Sequence, residues 1–209
     1  MIEADALAMF VTASTLLAFA PGPDNIFVVA QSMVYGRGAG LRVTLGLCTG
    51  LLVHTAVVAL GVAAIFRTSV IAFNALKYAG AAYLLFLAWK SFRASAGGID
   101  TGGQERLSGW KLYRRGIIMN VTNPKVSIFF LAFLPQFAGP AGGSITLQLV
   151  ALGAVFIAVT LVVFGFLSML AGTAGRWIAR SGRGEKILNR IAGAVFVSLA
   201  VKLILTERD

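Results

Sequence analysis

Apolar residues run through this chain in long uninterrupted blocks, with no alternation of the kind a half-buried strand shows. Six blocks reach the roughly 20 residues that a helix needs to cross a hydrocarbon core. They are about Ala6 to Tyr35, Val43 to Phe66, Phe73 to Phe92, Tyr113 to Phe137, Ile145 to Leu170 and Ile187 to Leu205. Short polar or glycine-rich connections separate them, such as Gly36-Arg37-Gly38-Ala39-Gly40 and Gly139-Pro140-Ala141-Gly142-Gly143. The longest hydrophilic connection is residues 93–112. The expected fold is therefore an all-α membrane protein with six transmembrane helices.

Two blocks are interrupted. In the first, Ala20-Pro21-Gly22-Pro23-Asp24-Asn25 lies between 18 uncharged residues (Ala6 to Pro23) and 12 more (Asn25 to Gly36). Pro21 and Pro23 cannot donate to the carbonyls of Leu17 and Phe19, so helical bonding must fail there. In the fourth block, Asn123-Pro124-Lys125 repeats the device with the opposite charge. Irregular backbone at membrane depth is tolerated only where it is buried in protein or lines a cavity.

The two halves also resemble each other in their third segments, where Lys77-Tyr78-Ala79-Gly80-Ala81-Ala82-Tyr83-Leu84 aligns with Arg190-Ile191-Ala192-Gly193-Ala194-Val195-Phe196-Val197. Three spans per half is an odd number, so the halves must enter the membrane in opposite senses. That predicts two inverted three-helix repeats, about 1–92 and 113–209, in one integral-membrane domain, with helices one and four broken.

Composition agrees. The 209 residues are 58% hydrophobic and 12% charged, against about 25% charged in a soluble domain. Mean hydropathy is +0.85. The net charge of +10 is read as a topology signal, and no nucleic-acid partner is expected. Arg37 and Arg42 follow span one. Lys90, Arg93, Arg106, Lys111, Arg114 and Arg115 follow span three, and Arg176, Arg180, Arg183, Lys186 and Arg190 follow span five. The alternate connections carry only Arg67 with Lys77, and nothing at 138–144. The positive-inside rule then places both termini outside. The start, Met1-Ile2-Glu3-Ala4-Asp5, has no basic region, so a cleaved signal peptide is not expected. The single cysteine, Cys48, excludes an intramolecular disulfide.

An Asp or Lys at the centre of a spanning helix costs about 2.5–3.5 kcal/mol. Asp24 and Lys125 offset each other's desolvation if the two breaks meet, either as a structural ion pair or as a transport site. As a site, the free N–H groups of Asn25, Ile26 and Phe27 suit an anionic group. The carbonyls of Leu17, Phe19 and Asn120 suit a cation, while Asn25, Asn120 and Asn123 offer neutral hydrogen bonds. A small zwitterion such as an amino acid matches that set. Asp24 is the stronger candidate proton carrier. His54, mid-span and alone, is either a proton relay or a polar packing residue, and Gln31 either bonds between helices or lines the path. Gly46 and Gly50 form a G-x-x-x-G contact face. Phe129, Phe130 and Phe133 are read as packing or lipid-facing. No metal cluster, cofactor motif or nucleophile–base pair is present, so an enzyme is not expected. Gly36-x-Gly38-x-Gly40 departs from a nucleotide-binding fingerprint.

Together Pro21-Gly22-Pro23-Asp24-Asn25, Asn123-Pro124-Lys125 followed by Phe129-Phe130, and the six-span size resemble the LysE/RhtB family of bacterial inner-membrane amino-acid exporters. The resemblance covers essentially the whole chain. It implies efflux of an amino acid or close derivative, driven by the proton gradient, with no cofactor. It also places functional residues at Pro21, Gly22, Pro23, Asp24, Asn25, Asn123, Pro124 and Lys125. The expected partners are the solute, protons and the lipid bilayer, and a homo-oligomer is compatible with the sequence. The competing classes are a membrane-embedded accessory subunit, in which the breaks only pack helices, and a small-solute channel.

Overall fold

A computed structural model describes residues 2–62, 70–94, 107–139, 142–178 and 182–205. The described residues are largely helical, with no strand among them. Helix α1 (Ala4–Phe19) and α2 (Pro23–Tyr35) are the halves of the first block, bent by 60°. Gly22 holds the join extended, and Pro23 opens α2 at the first helical position, where its missing N–H costs nothing. Gly36, at φ 84°, turns the chain directly into α3 (Arg37–Val57), which a π-helical stretch continues over Val58–Val62. Helix α4 is Val70–Arg93.

The fourth block is also broken. Helix α5 (Gly109–Val121) starts on Ser108, whose side chain accepts from Lys111 N at 3.4 Å. It meets α6 (Pro124–Ile128) at a 49° bend. Asn123 caps α6 by accepting from Lys125 N at 3.0 Å. The segment runs on through a π-helical Phe129–Phe133 and a 3₁₀ turn, Leu134–Phe137. Helix α7 (Ile145–Ile178) is long and unbroken, and α8 (Gly182–Leu205) follows.

Arg37–Gly61 and Ile145–Thr173 are each long and apolar enough to cross a membrane, and the two bent pairs raise the number to four. The expected third and sixth spans correspond to α4 and α8, of 24 residues each, whose described residues alone do not meet that combined measure of length and composition. Arg67, Arg106 and Arg180 lie outside the described residues.

Glycines set the helix contacts. A methyl group on Gly46 would meet Tyr113 O and sit 3.0 Å from Gly116 Cα, and one on Gly50 would meet the Asn120 side chain at 2.8 Å. The pairs 42/109, 46/116 and 50/120 rise together, so α3 and α5 run parallel, backbone against backbone. The expected G-x-x-x-G contact is thus present. By contrast α3 crosses α7 antiparallel, with Gly40 against Ser168 and Gly153 against Thr55. Helices α4 and α8 are antiparallel too: Gly193 abuts the Phe92 ring, Gly80 faces Leu203, and Lys77 Nζ donates to Ile204 O at 3.3 Å.

Fully buried aromatics fill the space between α1, α7 and the end of the fourth block. Phe10 contacts Phe137 at 5.2 Å, Phe129 contacts Phe133 at 4.9 Å and Phe156 at 5.3 Å, and Phe133 contacts Phe137 at 5.1 Å between ring centres. Of the two expected roles for Phe129, Phe130 and Phe133, the structure shows packing; all three are buried.

Candidate functional site

The two breaks meet. Asn123 Nδ2 donates to Asp24 Oδ2 at 2.9 Å, across 99 residues of chain. Lys125 Nζ passes beside Gly22, where a methyl group would lie 3.2 Å from it, and donates to Ala20 O at 3.0 Å and Leu17 O at 3.3 Å. Lys125 therefore caps the carbonyl end of α1, where a cation is favoured both by the free acceptors and by the helix dipole. Asn25 Nδ2 donates to Ala18 O at 2.6 Å. Among the described residues Asp24 and Lys125 make no direct ion pair; neutral groups hold each of them. Both are buried, with relative exposures of 4% and 8%.

A partly open cavity lies at this junction, lined by the polar Asp24, Asn120, Lys125 and Thr160 and by the apolar Leu47, Val126, Phe156 and Phe164. Its volume is about 20 Å³, room for one water-sized group. Two acceptor atoms of its lining residues, Asp24 Oδ1 and Asn120 Oδ1, have no hydrogen-bond partner, and neither has Asn25 Oδ1 at the first break.

The other sequence candidates are placed as follows. Ile26 N–H bonds to Gly22 O, which removes it from the set expected to face an anion. Asn120 O accepts from His54 Nε2 at 3.1 Å and from Asn123 N at 3.0 Å. A carbonyl only accepts, so the His54 ring donates through Nε2 and ties α3 to the second break. Gln31 is buried two turns along α2 from Asp24 and does not line the cavity. The expected acceptor at Leu17 O is occupied by Lys125.

Sequence reading missed the α7 wall. Phe156 and Phe164 are indistinguishable from packing residues in an apolar run. Thr160 carried a faint signal, being the one side chain with a hydrogen-bonding group between Leu149 and Leu167. Its exposure is 4%, and it lines the cavity.

Comparison with known proteins identifies the family. The profile of the LysE type translocator family matches residues 15–207. A homoserine/homoserine lactone efflux protein of Salmonella typhi is 37% identical over 197 residues, which is 93% of each chain. An uncharacterized membrane protein of Bacillus subtilis is 30% identical over 94% of this chain and 97% of its own. A leucine efflux protein of Enterobacter sp. (strain 638) is 26% identical over 93% of this chain and 92% of its own. No solved structure matches. With two proline-broken helices meeting in one buried polar junction and a family match over nearly the whole chain, this membrane protein belongs to the LysE type translocator family.

Proposed function

We propose that the chain is a secondary transporter that exports an amino acid or close derivative across the bacterial inner membrane by proton antiport. One observation carries the reading: two broken helices bring a carboxylate, an ammonium and the Asn120 carboxamide to the lining of one cavity inside an apolar bundle, with Asn123 bonded to that carboxylate. A pair needed only for packing would not leave three buried acceptors unpartnered, because each costs about 1–3 kcal/mol. The names of the relatives, for homoserine, its lactone and leucine, support the same solute class. The apolar wall supplied by Leu47, Phe156 and Phe164 suits a neutral side chain.

Asp24, at the junction, is the proton carrier of this scheme; Asn120, Asn123 and Lys125 shape the site around it. Pro21, Gly22, Pro23 and Pro124 serve by keeping the backbone open there. The antiparallel α3/α7 and α4/α8 contacts support six spans in two inverted repeats, because elements related by a two-fold axis in the membrane plane must cross in opposite senses. In that arrangement both termini are periplasmic.

The test is labelled leucine and homoserine flux in proteoliposomes under an imposed pH gradient. The wild-type chain should exchange solute for protons, and Asp24→Asn should insert and remain monodisperse but lose proton-driven flux at least a hundredfold. Full flux in that variant, or flux indifferent to the gradient and unsaturable, would replace the antiporter with a channel.

A further inference from the structure

Helices α3 and α5 lie parallel and in contact, so the side chains exposed near their N-terminal ends share one level of the bundle. On α3 that side chain is Arg42; on α5 they are Trp110, Lys111 and Arg114. Arg42 lies across the start of α5, where a methyl group on Gly109 would sit 3.0 Å from its Nε and 3.2 Å from its Cζ. Trp110 and Arg114, four residues apart, share one face of α5. No acidic residue occurs along either helix.

One turn further along, the exposed side chains change character. Arg42 is followed on α3 by Leu45, 53% exposed, and Arg114 on α5 by Ile118, 58% exposed. An aromatic pair marks the boundary: Trp110 stacks on Tyr113 with ring centres 5.5 Å apart, and Tyr113 Oη shares a hydrogen bond of 2.9 Å with Thr49 Oγ1 on α3. Trp110 is 65% exposed. An exposed Trp beside a Tyr with a bonded hydroxyl suits the headgroup level of a bilayer, where amphipathic rings gather. Cations at that level and bare aliphatic side chains below it repeat the order of a phospholipid, phosphate first and acyl chain after.

We propose that this side of the α3/α5 pair binds an anionic phospholipid, its phosphate held by Arg42, Lys111 and Arg114 and its acyl chains laid along Leu45 and Ile118. A guanidinium suits the phosphate because its fork of N–H donors meets two oxygens at once. Charge selects the lipid: a zwitterionic headgroup brings its own cation, which three basic side chains repel. The surface lies apart from the junction cavity, to which these helices contribute only Leu47 and Asn120. Lipid binding here therefore stands or falls separately from export.

The test uses the full chain in phosphatidylcholine liposomes, with Trp89→Phe and Trp177→Phe leaving Trp110 as the one tryptophan. Brominated lipids quench tryptophan on contact, and brominated phosphatidylglycerol and brominated phosphatidylcholine are titrated in turn. Half-quenching should need at least about fivefold less of the anionic lipid, the weight of one cation at a membrane surface. Raising the salt concentration should shrink that preference. Arg42→Gln with Arg114→Gln, both exposed side chains, should bring the two curves together. Lys90→Gln with Arg93→Gln removes as much charge from the exposed end of α4 and should leave them apart. Equal quenching by the two lipids, or a preference indifferent to salt, would overturn the proposal. So would a preference that survives the loss of Arg42 and Arg114, or one that the α4 pair abolishes equally, which would make it an effect of net charge. Inorganic phosphate in excess should not displace the lipid; if it does, the surface takes a free anion and the lipid reading is wrong.

Discussion

The charge balance at the junction yields a quantitative prediction. Lys125 Nζ holds two carbonyls at the end of α1, and Asp24 Oδ2 is held by Asn123, two residues from Lys125. In Lys125→Met the charge-assisted bonds are lost, at about 1.5–3 kcal/mol, and the Asp24 carboxylate remains buried without a counter-charge. Although the two charges are not in direct contact, each is the other's buried counter-charge, and removing one costs up to the roughly 3–5 kcal/mol of a contacting buried pair. Asp24→Asn leaves the Lys125 charge uncompensated at a similar cost. If the two were independent, the double variant would lose about 6–10 kcal/mol, the sum of the singles. Removing both charges instead leaves only the lost hydrogen bonds, about 2–3 kcal/mol. The coupling energy is then about 3 kcal/mol or more, at the upper end for residues sharing one network. Reversible unfolding in mixed detergent micelles, followed by tryptophan fluorescence, measures all four corners of the cycle. The double variant should be more stable than either single one, yet transport nothing. Additive losses would show that the two charges do not sense each other and would refute the account of the junction.

Gly116→Ala places a methyl group 3.0 Å from Gly46 Cα and 3.1 Å from Leu47 N; these backbone atoms cannot rotate away, so thermal stability should fall by about 1–3 kcal/mol. Gly165→Ala meets nothing within 4 Å and, lying inside α7, should leave stability unchanged or raise it by about 0.5–1 kcal/mol. Phe129→Ala removes a fully buried ring that touches Phe133 and Phe156, and the same unfolding assay should report a loss of about 3–5 kcal/mol. His54→Gln keeps a side-chain donor toward Asn120 O and should preserve both transport and its pH profile, whereas His54→Leu should cost about 1–3 kcal/mol in stability by orphaning polar groups. A shifted pH profile in His54→Gln would return the ring to the proton path.

The breaks themselves were legible because proline removes a donor wherever it stands, and a charge between two apolar stretches has few places to go. The opposite signs of Asp24 and Lys125 made a meeting of the breaks favourable without requiring it. The partners of Lys125 were not legible, since the carbonyls of Leu17 and Ala20 belong to the backbone, and any residue supplies a carbonyl. Two of the three N–H donors of Lys125 are thus taken up by backbone that no side-chain pattern marks. The α7 wall stayed hidden because a helix apolar all round has no periodicity to mark its inner face. The π-helical stretches after His54 and Lys125 left no sequence trace either; local widening of this kind often accompanies functional sites.

The glycine contact between α3 and α5 has a mechanical consequence. Where Gly46 meets Gly116, no side chain lies between the backbones, so neither helix can slide without breaking many contacts at once. These two helices therefore travel as a single rigid strut. On the other side of the cavity, the contact of α1 with the Phe129–Phe137 stretch is made by rings that can turn about χ1 and χ2. Motion is cheaper there, and the bends at Gly22 and Asn123 supply the pivots. Spin labels on α3 and α5 should keep one separation throughout a transport cycle, while labels on α1 and the Leu134–Phe137 turn should report two.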